Sequence, residues 1–136
     1  MVNIQDLLTK ATALKDKLDA IRPLPGSVAE NLRQDCHIKN TYHSNAIEGN
    51  TLTLYETKTV LEDGVTIAGN SFREHAEANN HREALECLGA LVNEDTPMNQ
   101  RTIKDIHAIV LQGIDPSIAG KYRTIELPPP NILTNV

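Results

Sequence analysis

The chain has 136 residues and a net charge of −5; 40% of its residues are hydrophobic, only 3% are aromatic, and tryptophan is absent. That length suits one domain, with a core built from Leu, Ile, Val and Ala, and the lack of a basic block argues against a phosphate-facing nucleic-acid surface. No segment approaches the ~20 apolar residues of a membrane span, and Cys36 and Cys87, far apart and in no CxxC pair, fit a reducing compartment, so a cytoplasmic location is expected.

In chain order, Ile4, Leu7, Ala11, Leu14, Leu18 and Ile21 alternate steps of three and four, which predicts a helix with one apolar stripe. Lys10, Lys15, Asp16, Lys17 and Asp19 lie off the stripe. A short coiled-coil seam would give this pattern, but the expectation is a helix laid on the rest of the domain. Pro23, Pro25 and Gly26 stop it. Ser27, with Glu30 three residues on, predicts the N-cap of a second helix that runs toward Glu48. Its candidate core residues are Val28, Leu32, Ile38, Tyr42 and Ile47. His37 and His43 on this helix are not four apart and have no ligand partners at a familiar spacing.

The stretch Ser44-Asn45-Ala46-Ile47-Glu48-Gly49-Asn50-Thr51-Leu52-Thr53 organises the rest. Ser44 and Glu48, four apart, share a helix face. Gly49 and Asn50 most easily take the left-handed conformation that closes a helix. Thr53 and Glu56 make a capping box for the next helix. Glu48 is out of place locally: a carboxylate in a last turn opposes the helix dipole and costs up to ~1 kcal/mol. Either it serves a cation held elsewhere, or it is a solvated surface glutamate.

A third helix is expected over 54–62, ending at Gly64, then a loop or small hairpin over 65–70. Ser71 and Glu74 form a second capping box. The helix behind it reaches about Val92, with Ala84, Leu85, Leu88, Leu91 and Val92 inward and Cys87 at the border. A fifth helix covers 99–111, burying Ile103, Ile106, Val110 and Leu111, with His107 on the same side as a hydrogen-bonded core histidine. The tail contains Pro128-Pro129-Pro130, which excludes a helix.

Three stretches carry a resemblance. Ser44-x-x-x-Glu48-Gly49 resembles the inhibitory-helix motif, Ser/Thr-x-x-x-Glu-Gly/Asn, of the Fic-domain proteins. Glu77-x-x-Asn80-His81-x-x-Ala84 resembles an early helix of the Fic core, and Ile106-His107 to Gly120-Lys121-Tyr122-Arg123 resembles the family's IH…G-x-YR segment. The order matches, over roughly Asn40 to Arg123. The resemblance implies an all-α, Fic-like helical domain, here partial: about five helices with an irregular C-terminal tail. Residues 1–26 would be an N-terminal helix and Pro/Gly linker, 27–64 the inhibitory-helix region, and 65–136 the first, incomplete part of the core.

Many proteins of this family transfer AMP from ATP to a hydroxyl on a target protein. Their catalytic loop reads His-Pro-Phe-x-Asp/Glu-Gly-Asn-Gly-Arg followed by another arginine. The histidine is the general base, the glycine-rich helix start holds phosphates, and the acidic residue holds magnesium. None of that loop is in this sequence: no histidine precedes Pro-Phe, and after Arg123 there is no His, Gly or Arg. Only Thr124-Ile125-Glu126-Leu127 separates Arg123 from the prolines, too short for the hairpin flap the family has there. The chain is therefore read as truncated or interrupted before the catalytic loop. No catalytic or metal residue is assigned; ATP and Mg are expected only in a complete family member, with none for this chain alone.

What the resemblance carries over is regulatory. Glu48 would pair with the last arginine of a Fic catalytic loop, where the γ-phosphate of ATP would otherwise bind. Ser44 would help fix the helix, and Gly49 would end it and aim Glu48. The expected function is the auto-inhibitory and partial core region of a Fic-type protein adenylyltransferase, inactive in this form. The expected partner is that arginine, in a missing C-terminal part or on a separate Fic protein; the target protein is unknown, and neither nucleic acid nor membrane is expected. The alternative is a stand-alone helical protein that inhibits an intact Fic enzyme in trans.

Overall fold

Polar caps and three–four apolar spacings dictate helices, and helices are what form. The computed structural model describes residues 3–124 and contains five helices: α1 (Ile4–Ala20), α2 (Gly26–Ile47), α3 (Leu54–Asp63), α4 (Phe72–Asn93) and α5 (Gln100–Val110). No strand occurs among the described residues, so the 65–70 stretch is a turn and not a hairpin. No helix among them is long and apolar enough to cross a membrane. The expected lack of a flap beyond Arg123 and the prolines at 128–130 fall outside the described residues.

The chain divides into two units between Cys36 and His37, inside α2. In the first, Asn3 caps α1 by accepting the Gln5 N–H at 3.0 Å. Every residue of α1 is exposed, Ile4 by 72% and Leu14 by 58%. Within this unit the stripe is open: periodicity says which residues share a face, not what lies on it. Val28 and Leu32 are likewise exposed. Ser27 is not the N-cap of α2. The Ala29 N–H bonds the Pro25 carbonyl at 3.0 Å, so the helix already begins at Gly26. Glu30 instead binds Arg33 at 2.6 Å and Gln34 at 3.3 Å along the helix.

In the second unit α4 is central and packs against both α3 and α5. Leu52, Val60, Leu61 and Ala78 form the buried cluster, with Ile38 and Ile67 against it. Ala78 is fully buried on α4. The capping boxes Thr53–Glu56 and Ser71–Glu74 are both made, and Gly64 closes α3 with φ +65°.

The inward face of α2 differs from the apolar expectation. Ile47 is 83% exposed, whereas Thr41 is fully buried. Thr41 Oγ1 lies 2.9 Å from His81 Nδ1 on α4, and that hydrogen bond offsets the cost of burying the hydroxyl. Val92 and Ile103, expected inward, are exposed, while Ile106, Val110 and Leu111 are half-buried.

Candidate functional site

The end of α2 is a Schellman motif. The Asn50 N–H bonds the Asn45 carbonyl at 3.0 Å and the Gly49 N–H bonds the Ala46 carbonyl at 3.1 Å. Gly49, at φ +94°, supplies the left-handed residue. Glu48 thus sits at the C-cap, where its carboxylate meets the negative end of the helix dipole. It is exposed and forms no ion pair among the described residues. Ser44, one turn back, is half-buried, and its hydroxyl donates to Asn40 Oδ1 at 3.2 Å.

The segment after Glu48 is pinned to α4. Asn50 is not left-handed; its side chain works instead. Its amide donates to the Glu74 carbonyl and to Glu77 Oε2, both at 3.0 Å, and its Oδ1 accepts the Leu52 N–H at 3.0 Å. The Thr51 N–H and hydroxyl both donate to Glu74 Oε1, at 2.8 and 2.5 Å. Glu74 Oε2 meanwhile accepts the Ser71 N–H and hydroxyl, at 2.8 and 3.0 Å. These donors, Thr51 first, hold the Glu74 carboxyl down at about 2. Glu77 Oε1 takes Arg73 Nε at 2.8 Å.

The motif Glu77-x-x-Asn80-His81-x-x-Ala84 joins three helices. Glu77 holds Asn50 of the turn after Glu48. His81 meets Thr41 of α2; its partial burial, then the nearby His37, lower its pKa. Asn80, 7% exposed, donates to the carbonyls of Val110 at 3.1 Å and Gln112 at 2.7 Å, closing the orphan acceptors at the end of α5. Ala84 is buried. The motif ties the end of α2 to α4 and α4 to α5.

The third motif closes on itself. The Gly120 N–H donates to His107 Nδ1 at 3.0 Å, the hydrogen bond expected of that histidine. Gly120 has φ +68°, and a Cβ there would stand 3.2 Å from the Lys104 carbonyl oxygen, so glycine is favoured both by backbone conformation and by space. Lys104 Nζ lies 4.7 Å over the Tyr122 ring. Ile103, Lys104, His107, Ile118, Lys121, Tyr122 and Arg123 line a cavity of about 530 Å³.

Among the described residues, no group of three or more His, Cys, Asp or Glu converges to hold a metal. The N-termini of α1, α3, α4 and α5 are capped by the side chains of Asn3, Thr53, Ser71 and Asn99.

No family model matches the chain. It is 33% identical over 124 residues to the protein adenylyltransferase Fic of Nematostella vectensis, covering 90% of this chain and 29% of that protein. It is 35% identical over 118 residues to the protein adenylyltransferase fic-1 of Caenorhabditis elegans, covering 85% and 23%. The solved structure of C. elegans Fic-1 superposes with a TM-score of 0.75 at 32% identity, covering 92% of this chain and 38% of that one. A Fic-1 variant with a glutamate-to-glycine replacement gives 0.69 at 33% identity, covering 88% and 39%. The chain spans 29% and 23% of the lengths of these two curated relatives. Sequence identity and fold agree over nearly all of the chain, and on that ground the chain belongs to the Fic proteins.

Proposed function

We propose that this stretch is the inhibitory-helix and early-core part of a Fic-type protein adenylyltransferase, with Glu48 as the inhibitory carboxylate. The observation that supports this most is the contrast around Glu48. The side chain is exposed and without an ion pair among the described residues, yet the turn that carries it is held by a Schellman motif and by Asn50 and Thr51 on α4. A fixed carboxylate at a helix C-terminus is a poor local choice and a good cation receptor. An arginine placed there gains both the carboxylate and the helix dipole. An arginine so held is not available to a phosphate.

The arginine is the one that closes a Fic catalytic loop. None of the five histidines here is followed by Pro-Phe, so the loop belongs to further polypeptide, of the same protein or of a separate Fic enzyme. These 136 residues alone are expected to transfer no AMP. Incubation with labelled ATP, magnesium and candidate target proteins tests that, in parallel with a chimera in which residues 3–124 replace the matching stretch of C. elegans Fic-1. The expected result is no label with the chain alone, little with the chimera while Glu48 is present, and clear label with the chimera carrying Glu48→Gly. Label from the chain alone that disappears when one of its own residues is mutated contradicts the reading.

A further inference from the structure

The last turn of α2 has no apolar anchor of its own. Thr41 is buried in α2, and within this unit the next buried side chain along the sequence is Leu52, beyond Glu48. Ile47, beside Glu48, is 83% exposed. The backbone bonds that close the helix join Glu48, Gly49 and Asn50 to Asn45 and Ala46 of the same helix. They fix the shape of the turn, not its place on the core.

The groups that tie the turn to α4 are polar. Asn50 donates to the Glu74 carbonyl and to Glu77 Oε2, and Thr51 donates twice to Glu74 Oε1. Asn70 Nδ2 donates to Thr51 Oγ1 at 3.2 Å. Glu77 Oε1 is held by Arg73, and Glu74 Oε2 by Ser71. Each carboxylate thus gives one oxygen to its own helix or cap and the other to the turn.

We propose that Glu74 and Glu77, acting through Thr51 and Asn50, are positioning residues for Glu48 and set the strength of inhibition. The proposal rests on Glu48 being the inhibitory carboxylate, and adds that α4 decides how well that carboxylate is presented. Pairing with an arginine is favourable only by what remains after the groups that make the pair have been ordered. In a clamped turn the backbone behind Glu48 is ordered by folding; in a loose one it must be ordered when the arginine arrives. Loosening the clamp therefore shifts molecules from the paired to the unpaired state and frees the arginine for phosphate, with Glu48 itself unchanged.

The test uses the chimera with C. elegans Fic-1 and two variants that leave Glu48 in place. Thr51→Val keeps the side-chain shape and the backbone N–H but loses the hydroxyl that reaches Glu74. Asn50→Asp keeps an acceptor for the Leu52 N–H but sets a carboxylate against Glu77 Oε2. Each should raise AMP transfer on the order of fivefold, the worth of about one hydrogen bond, and Thr51→Ser should restore the parent's low rate. In the Glu48→Gly background neither variant should raise transfer further, whereas mere loss of folding would lower transfer in both backgrounds. In the 136-residue chain itself, both variants should speed amide hydrogen exchange at residues 48–51 and leave α5 unchanged. The proposal is overturned by a rise with Glu48→Gly but none with Thr51→Val or Asn50→Asp. A rise that persists in the Glu48→Gly background, or unchanged exchange at residues 48–51, overturns it as well. No rise with Glu48→Gly is a different failure: it removes the inhibitory reading, and the proposal with it.

Discussion

Thr51 hangs on Glu74: its N–H and its hydroxyl both donate to one carboxylate oxygen, at 2.8 and 2.5 Å, while the other oxygen closes the capping box with Ser71. One side chain thus starts α4 and tethers the segment behind Glu48. Its carboxyl is drawn from the ordinary 4.5 down to about 2. Between those values the unfolded chain binds a proton that the folded chain refuses. The stability is therefore full above about pH 4.5 and is lost as pH falls toward 2. Glu56 and Asp115 are lowered in the same direction, each mainly by hydrogen bonds from a neighbouring Thr or Ser. In thermal melts, Glu74→Gln should be less stable than the parent at neutral pH and should lose less on acidification through that window. Parallel acid profiles for the two would contradict the assignment.

Gly49 and Gly120 are both left-handed, but their surroundings differ. A Cβ on Gly49 would meet nothing within 4 Å, whereas on Gly120 it would stand 3.2 Å from the Lys104 carbonyl and 3.3 Å from Ala108 Cβ. Gly49→Ala should cost about 1–2 kcal/mol, from backbone conformation alone. Gly120→Ala should cost more, by ~1 kcal/mol or above, since packing must also give. Urea denaturation midpoints rank the two, and an equal or larger loss at Gly49 would contradict this reading.

Asn80 reaches across from α4 to the Val110 and Gln112 carbonyls and donates to both. Asn80→Ala should destabilise by about 1–3 kcal/mol, the cost of leaving buried acceptors unpaired. Asn80→Asp should be worse, because a carboxylate would face carbonyl oxygens at a helix C-terminus. Chemical denaturation of the two variants near neutral pH reads the order. An aspartate as stable as the parent would show that the amide is not holding these carbonyls.

Much of this fold was legible locally. Thr53–Glu56 and Ser71–Glu74 were readable as capping boxes because both partners lie within one turn, and Gly49 and Gly64 because only glycine enters the left-handed region without strain. What was not legible lies between distant residues. Nothing near Asn50 announces Glu77, nothing near Asn80 announces Val110, and the Lys104–Tyr122 stack has no local signature. Hydrophobic period misassigned α2 for the same reason: it cannot foresee that Thr41 finds His81 and turns inward while Ile47 turns out. The one signal available was that the motif residues Asn50, Glu77, Asn80 and His81 are polar yet fall on helices or beside a cap, where polar groups need partners.

The measurement that tests the central claim most directly is AMP transfer by the chimera with and without Glu48. Glu48→Gly should raise target labelling or self-modification and strengthen productive ATP binding, because the loop arginine loses its competing carboxylate. Folding should change little, within about 0.5 kcal/mol, since the exposed side chain opposes the helix dipole and has no other ion pair among the described residues. Ser44→Ala should act in the same direction and more weakly, because among the described residues its hydroxyl donates to Asn40 and makes no contact with Glu48. Equal transfer rates and equal ATP affinity in the parent chimera and Glu48→Gly would show Glu48 to be a solvated surface glutamate and would contradict the account.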